Sequence, residues 1–182
     1  MTKVAIISGG PSANSRLNGL ENETVAFLKK EGISFEQIKV RELPAEDLLH
    51  AIFDSPDIIA AHKKVETADA VIILTPVYKA SYTGVLKAYL DLLPQKGFVD
   101  KAILPLVIGG TFGHLLMIDY ALKPVFSALG ATTIFHGAYV LDSEVERTED
   151  ESFFIDHEVQ KRLQKELSNL AAFLKVNEPL LK

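Results

Sequence analysis

Three short stretches hold most of the residues in this chain that could do chemistry. The first reads Ser8-Gly9-Gly10-Pro11-Ser12-Ala13-Asn14-Ser15-Arg16, with Leu17 opening a helical pattern behind it. It joins an apolar run to a helix N-terminus, where unpaired amide hydrogens and the positive end of the helix dipole favour an anion. That dipole disfavours a cation in the first turn by roughly 0.3–1 kcal/mol. Arg16 makes sense there if a phosphate lies between the two; the alternative is a polar turn in which Ser15 caps the helix and Arg16 points to solvent. The stretch lacks the Gly-Lys-Ser/Thr of a Walker A loop and does not match Gly-x-Gly-x-x-Gly.

The second stretch, residues 75–82, contains Pro76, Val77, Tyr78, Lys79 and Tyr82. Proline fixes the backbone and the tyrosines offer flat faces, which suits the edge of an aromatic ring system; Tyr78 could equally cap the loop with its hydroxyl in water. The third is Gly109-Gly110-Thr111, where glycine lets a backbone approach a ligand closely, or serves an ordinary strand-to-helix turn. Each stretch follows an apolar run of strand length. Three strand ends opening on one rim make a ligand crevice in an open parallel sheet. Hydroxyls with arginine at one loop, and aromatic and amide edges at the others, point to a phosphorylated flat ring, namely flavin mononucleotide (FMN).

The elements that must position these loops can be read from apolar periodicity. Strands are expected at residues 3–8, 34–40, 70–74, 102–108 and 132–139, with the second less buried, as at a sheet edge. Helices are expected at about 15–30, 46–50, 57–67, 83–93, 112–129 and 152–174. The alternation predicts a single α/β domain over residues 1–182: a flavodoxin-like three-layer fold with a five-stranded parallel sheet of order 2-1-3-4-5. The helix at 112–129 is apolar on more than one face, through Leu115, Leu116, Met117, Ile118 and Leu122, which predicts a homo-oligomer.

Bulk properties exclude several classes. A chain of 182 residues can bury roughly 70% of the surface of its extended form without staples. Cysteine is absent, which removes disulfides, thiolate catalysis and cysteine zinc sites and suits a reducing cytoplasm. A net charge of −5 argues against nucleic acid as a partner. The apolar run at 4–7 is too short for the core of a secretory signal. Residues 102–118 carry no Asp, Glu, Lys or Arg, but Pro105 and three glycines break any membrane helix there. The five histidines are scattered: His50, His62 and His157 read as exposed and His114 and His136 as lying at element ends, with no i, i+4 metal pair. The acidic run at 144–151 reads as a solvated loop before the last helix.

Several motifs resemble one family. Thr75-Pro76-Val77-Tyr78-Lys79-Ala80 with Gly84, Leu86-Lys87 and Leu90-Asp91-Leu92-Leu93-Pro94 is similar to the NADPH-dependent FMN reductases that serve two-component alkanesulfonate monooxygenases. So are Leu104-Pro105-Leu106, Gly109-Gly110-Thr111, His114-Leu115-Leu116, Asp119-Tyr120-Ala121-Leu122-Lys123-Pro124, and the earlier Glu46-Asp47-Leu48-Leu49 with Phe53-Asp54-Ser55-Pro56. The resemblance covers most of residues 1–140 and is poor after Asp142.

The resemblance implies a flavodoxin-like oligomer, a dimer or commonly a tetramer, that reduces free FMN with NADPH and hands the reduced flavin to a flavin-dependent monooxygenase. Ser15 and Arg16 would then hold the FMN phosphate, with Ser8, Pro11 and Leu17 also binding the cofactor, Pro76, Val77 and Tyr78 the ribityl chain and ring, and Gly109, Gly110 and Thr111 the pyrimidine end. In the family, a tyrosine at the position of Tyr120 makes a π-bulge in a helix at the subunit interface near the flavin; read without the family, Tyr120 is a packing aromatic and Pro124 an ordinary kink. Family members commonly carry Gly-Ser-Pro-Arg where this chain has Gly9-Gly10-Pro11-Ser12, and the lost arginine leaves NADH as well as NADPH open as donor. Hydride transfer from nicotinamide C4 to flavin N5 needs stacking and orientation and no obligatory acid or base, so no catalytic residue is assigned. The rival readings are an FMN-bound NAD(P)H quinone or azo reductase and a flavodoxin-like electron carrier.

Overall fold

Residues 4–7, 70–76 and 102–109 are buried without interruption, and their alternate side chains enter two different cores, so strands built from them must be covered on both faces. In the computed structural model, which describes residues 2–149 and 152–177, they lie within β1 (Lys3–Ser8), β3 (Ala70–Pro76) and β4 (Ala102–Gly109). β2 (Ser34–Lys39) flanks β1 at the sheet edge with most of its residues only partly buried. All pairings in this sheet are parallel, in the expected order 2-1-3-4-5.

Helices α1 (Leu17–Lys30), α2 (Ala45–Leu49), α3 (Pro56–Glu66), α4 (Gly84–Leu92), α5 (Lys123–Ala128) and α6 (His157–Asn177) complete the layers. One core joins Ile7, Val71, Ile73 and Val107 to Leu86, Tyr89 and Leu90 of α4 and to Leu122 and Phe126. The other joins Ile6, Ile72, Leu74 and Leu106 to Leu17, Leu20 and Leu28 of α1 and to Leu163, Leu167 and Leu170 of α6. α1 begins two residues later than expected, because Arg16 rather than Ser15 occupies the N-cap position.

The fifth strand departs from the single run expected at 132–139. It is split into β5 (Thr133–Ile134) and β6 (Ala138–Leu141), both paired with β4. The cause is Pro105. Ile103 presents its carbonyl to this edge, accepting from Phe135 N–H at 2.8 Å, so Pro105, two residues on, presents there a nitrogen with no hydrogen to donate. The ladder lapses where Gly137 crosses Pro105 at φ +79°, and a Cβ at 137 would lie 2.2 Å from the Pro105 carbonyl oxygen.

The expected helix at 112–129 is likewise broken. A 3₁₀ turn (Phe112–His114) is followed by a π-helical segment (Ile118–Leu122), closed by Lys123 N–H donating to Ile118 O, and only then by α5. Pro124 has no N–H for the carbonyl of Tyr120, its α-helical partner, so the widened turn sits where a regular ladder would fail anyway.

The closing helix starts at His157 rather than 152, and part of the acidic run is no loop. Val145–Arg147 (β7) pairs antiparallel with Phe153–Ile155 (β8), burying Val145 against Gly19 of α1; Asp150 and Glu151 lie outside the described residues. His62 is half-buried rather than exposed. No helix among the described residues is long and apolar enough to cross a membrane.

Candidate functional site

The carboxyl ends of β1, β3 and β4 are neighbours, Ser8 opposite Leu74 and Pro76 opposite Ile108, so the three loops leave the sheet side by side. Backbone bonds extend the sheet into the loops: Gly9 N–H donates to Leu74 O and Val77 N–H to Ile108 O, both at 2.8 Å. Two buried threonines add a latch. Thr83, the N-cap of α4, accepts Leu86 N–H at 3.1 Å and donates its hydroxyl to Gly9 O at 2.5 Å. Its own N–H donates at 3.3 Å to Thr75 Oγ1, which donates to Pro76 O. The first loop is thereby tied to the second through α4.

In the first loop, Ser15 Oγ accepts Leu17 N–H at 3.2 Å, and the Leu17 side chain is buried in the core below. Pro11 and Arg16 are exposed. Arg16 Nε donates to Val145 O at 2.9 Å, which anchors the guanidinium while its terminal nitrogens have no partner among the described residues. Ser8 Oγ, at the end of β1, is buried without a hydrogen-bond partner there, an orphaned donor beneath the loop.

In the second loop, Pro76 ends β3 and is buried, Val77 is half-buried, and Tyr78 is 53% exposed at the rim. Tyr78 and Ser81 exchange backbone hydrogen bonds at 2.8 and 3.1 Å around a two-residue turn, with Lys79 at φ +50° and Ala80 at φ +63°. Such turns favour asparagine and glycine, and a left-handed residue with a Cβ costs roughly 1–2 kcal/mol.

In the third loop, Gly109 is buried while Gly110 and Thr111 are exposed. Thr111 Oγ1 accepts Gly113 N–H at 3.2 Å, and its carbonyl accepts the Tyr139 hydroxyl at 2.7 Å. Gly109 has to be glycine: a Cβ would lie 2.3 Å from Tyr139 Oη and 3.0 Å from Val77 Cγ2. Burial, with Asp142 nearby, raises the Tyr139 hydroxyl above the usual tyrosine range, so it stays a donor.

All three loops expected from sequence therefore meet on one rim, with a polar end at Arg16 and a glycine-edged end at Gly109. Tyr120 lies beside them in the π-helical segment, 79% exposed, and with Ala80, His114, Leu116, Met117 and Ala121 it lines a depression of about 340 Å³. A larger depression, about 580 Å³, lies at the opposite end of the sheet around Asp69 and Lys101. Its cation is already engaged, Lys101 Nζ donating to Ala68 O at 2.6 Å and Glu66 O at 3.0 Å. Among the described residues no group of three or more His, Cys, Asp or Glu side chains is placed to hold a metal ion. Sequence reasoning missed two residues that shape the rim. A threonine ahead of a helix is a cap signal, so Thr83 was within reach; Tyr139 meets Thr111 across 28 positions and gave no local signal.

Residues 2–146 match the family described as NADPH-dependent FMN reductase. Over 142 residues, 78% of this chain and 72% of the relative, the chain is 46% identical to an FMN reductase (NADPH) of Pseudomonas putida. Over 143 residues, 79% of this chain and 75% of the relative, it is 43% identical to an FMN reductase (NADPH) of Escherichia coli. A solved structure of an NADH:FMN oxidoreductase (EMOB) in its apo form superposes with a TM-score of 0.83 at 31% identity, covering 93% of this chain and 88% of that one.

Proposed function

The chain belongs to the NADPH-dependent FMN reductase family and is an oxidoreductase, and from that premise we propose that it reduces FMN with NADPH or NADH on the rim formed by residues 8–17, 76–78 and 109–111. The observation that carries this reading is the convergence of the three loops at adjacent strand ends, locked by the Gly9–Leu74, Thr83–Gly9 and Val77–Ile108 hydrogen bonds.

The residues fit the group. Arg16, held at Nε, turns its remaining donors to the FMN phosphate, with Ser15 and the backbone around Pro11 and Leu17 beside it and the orphaned Ser8 hydroxyl below. Pro76, Val77 and Tyr78 take the ribityl chain and one edge of the ring. The amides of Gly110 and Thr111 would face the pyrimidine end, where preorganised N–H donors stabilise negative charge as it grows, while Gly109, its own N–H turned to β6, lets the ring approach closely. FMN, when bound, supplies the chemistry by accepting hydride from the nicotinamide. The chain supplies orientation and electrostatics, and no side chain is assigned as acid or base.

The reduced flavin is proposed to serve a monooxygenase partner of the alkanesulfonate type, with the cytoplasm as the location. Exposed Phe112, Leu115, Leu116 and Tyr120 beside the rim support a homo-oligomer, dimer or tetramer, that covers them. The donor is left as either nicotinamide, because Ser12 stands where the family resemblance leads one to expect an arginine, a common partner for a 2′-phosphate.

Steady-state oxidation of NADPH and NADH, followed against added FMN, tests the reading. The expected result is turnover that saturates with free FMN. Turnover on quinones or azo compounds with permanently bound flavin, independent of added FMN, would replace this reading with the quinone or azo reductase; no nicotinamide oxidation would leave the electron carrier.

A further inference from the structure

Tyr139 lies on β6 opposite Val107, almost fully buried, and its hydroxyl reaches the carboxyl end of β4 beside Gly109. Its hydroxyl donates to Thr111 O at 2.7 Å, and its ring meets Phe112 at a centroid distance of 5.9 Å. The two bonds of a trans peptide are antiparallel, so drawing the Thr111 carbonyl toward Tyr139 turns the Phe112 N–H away from it. The same hydroxyl occupies the space a Cβ at 109 would need. One phenol thus sets both ends of the third loop.

We propose that Tyr139 is a positioning residue for flavin binding, which aims the backbone of residues 109–112 at the pyrimidine end of FMN through the Thr111 carbonyl. This rests on the reading that the third loop holds that end of the flavin. The hydrogen bond of the hydroxyl goes to the third loop, so its removal loosens that wall of the crevice first.

The test uses the full chain and three variants, Tyr139→Phe, Gly109→Ala and their combination, with Arg16→Ala as the marker of the site itself. FMN dissociation constants come from titration, and KM and kcat from steady-state turnover. Tyr139→Phe removes one neutral hydrogen bond, so the FMN dissociation constant and KM for FMN rise roughly two- to tenfold while KM for the nicotinamide stays put. Gly109→Ala also weakens FMN binding, and adding Tyr139→Phe restores part of the loss because the atom 2.3 Å from the new Cβ is gone. A purely structural tyrosine would lower the melting temperature and leave this KM split and this rescue absent. Unchanged FMN affinity in Tyr139→Phe beside a weakened Arg16→Ala overturns the positioning role alone. No change in any variant overturns the site reading and this inference with it. Should Tyr139→Phe not fold, Gly109→Ala decides, since unaltered FMN affinity there also refutes the proposal.

Discussion

Replacing Thr83 by valine keeps the shape of the side chain and deletes only its hydroxyl. That hydroxyl is buried; it caps α4 through Leu86 N–H at 3.1 Å and ties the helix to the first loop through Gly9 O. Losing the cap costs about 0.5–2 kcal/mol. Stranding the Gly9 carbonyl, which is buried beside Leu86, costs about 1–3 kcal/mol more. Because the residues touch one another the two losses overlap, and about 2–4 kcal/mol is the expected total. For a chain of this size each kcal/mol is worth about 2–4 °C, so the melting temperature should fall by roughly 5–15 °C. Thermal unfolding followed by circular dichroism measures it, and Thr83→Ser, which keeps the hydroxyl, should recover most of the loss. FMN binding should weaken alongside, since the first loop loses its anchor. A Thr83→Val protein that melts within about 2 °C of the parent would refute the latch.

Arg16→Ala should weaken FMN binding by about 1.5–3 kcal/mol, roughly tenfold to 150-fold, through loss of a charge-assisted contact. Arg16→Lys should recover only part, because an ammonium cannot hold the Val145 carbonyl and a phosphate at once in the fork geometry; unaltered titration curves for Arg16→Ala would remove it from the site. Ala80→Gly should stabilise the protein by about 1 kcal/mol, because glycine accepts the left-handed φ of +63° without the Cβ penalty; a lower melting temperature would show that the turn is unstrained. Burial lowers the His62 pKa below its ordinary 6.5, so below that pH the unfolded chain binds a proton the folded chain resists. Stability should therefore be full above 6.5 and decline as pH falls through and below it; His62→Gln should flatten that decline, and an identical pH profile in the variant would contradict it.

Much of this architecture was legible because the chain states it locally. Residues 70–74 and 102–108 are apolar throughout, as a strand covered on both faces requires, and the loops behind them carry proline, tyrosine and glycine where a crevice needs them. Features decided by distant partners were not legible. The break in the fifth strand depends on Pro105, some thirty positions upstream, denying a donor at one register point. Arg16 stands at the N-cap of α1, a cation against the helix dipole that the sequence shows, but the Val145 carbonyl that anchors it lies 129 positions away. Apolar periodicity predicted one regular helix over 112–129; only the family resemblance at Tyr120 pointed to the π-helical segment that is there. The hairpin of Val145 and Phe153 was masked by the acidic residues between its strands, which read as a solvated loop.

A crystal of the protein grown with FMN tests the central claim most directly. The account predicts electron density for the phosphate against Arg16 and Ser15, and for the ring between Tyr78 and the Gly109–Thr111 backbone. Flavin bound at the opposite end of the sheet, near Lys101 and Asp69, or on any surface away from the three loops, would contradict it.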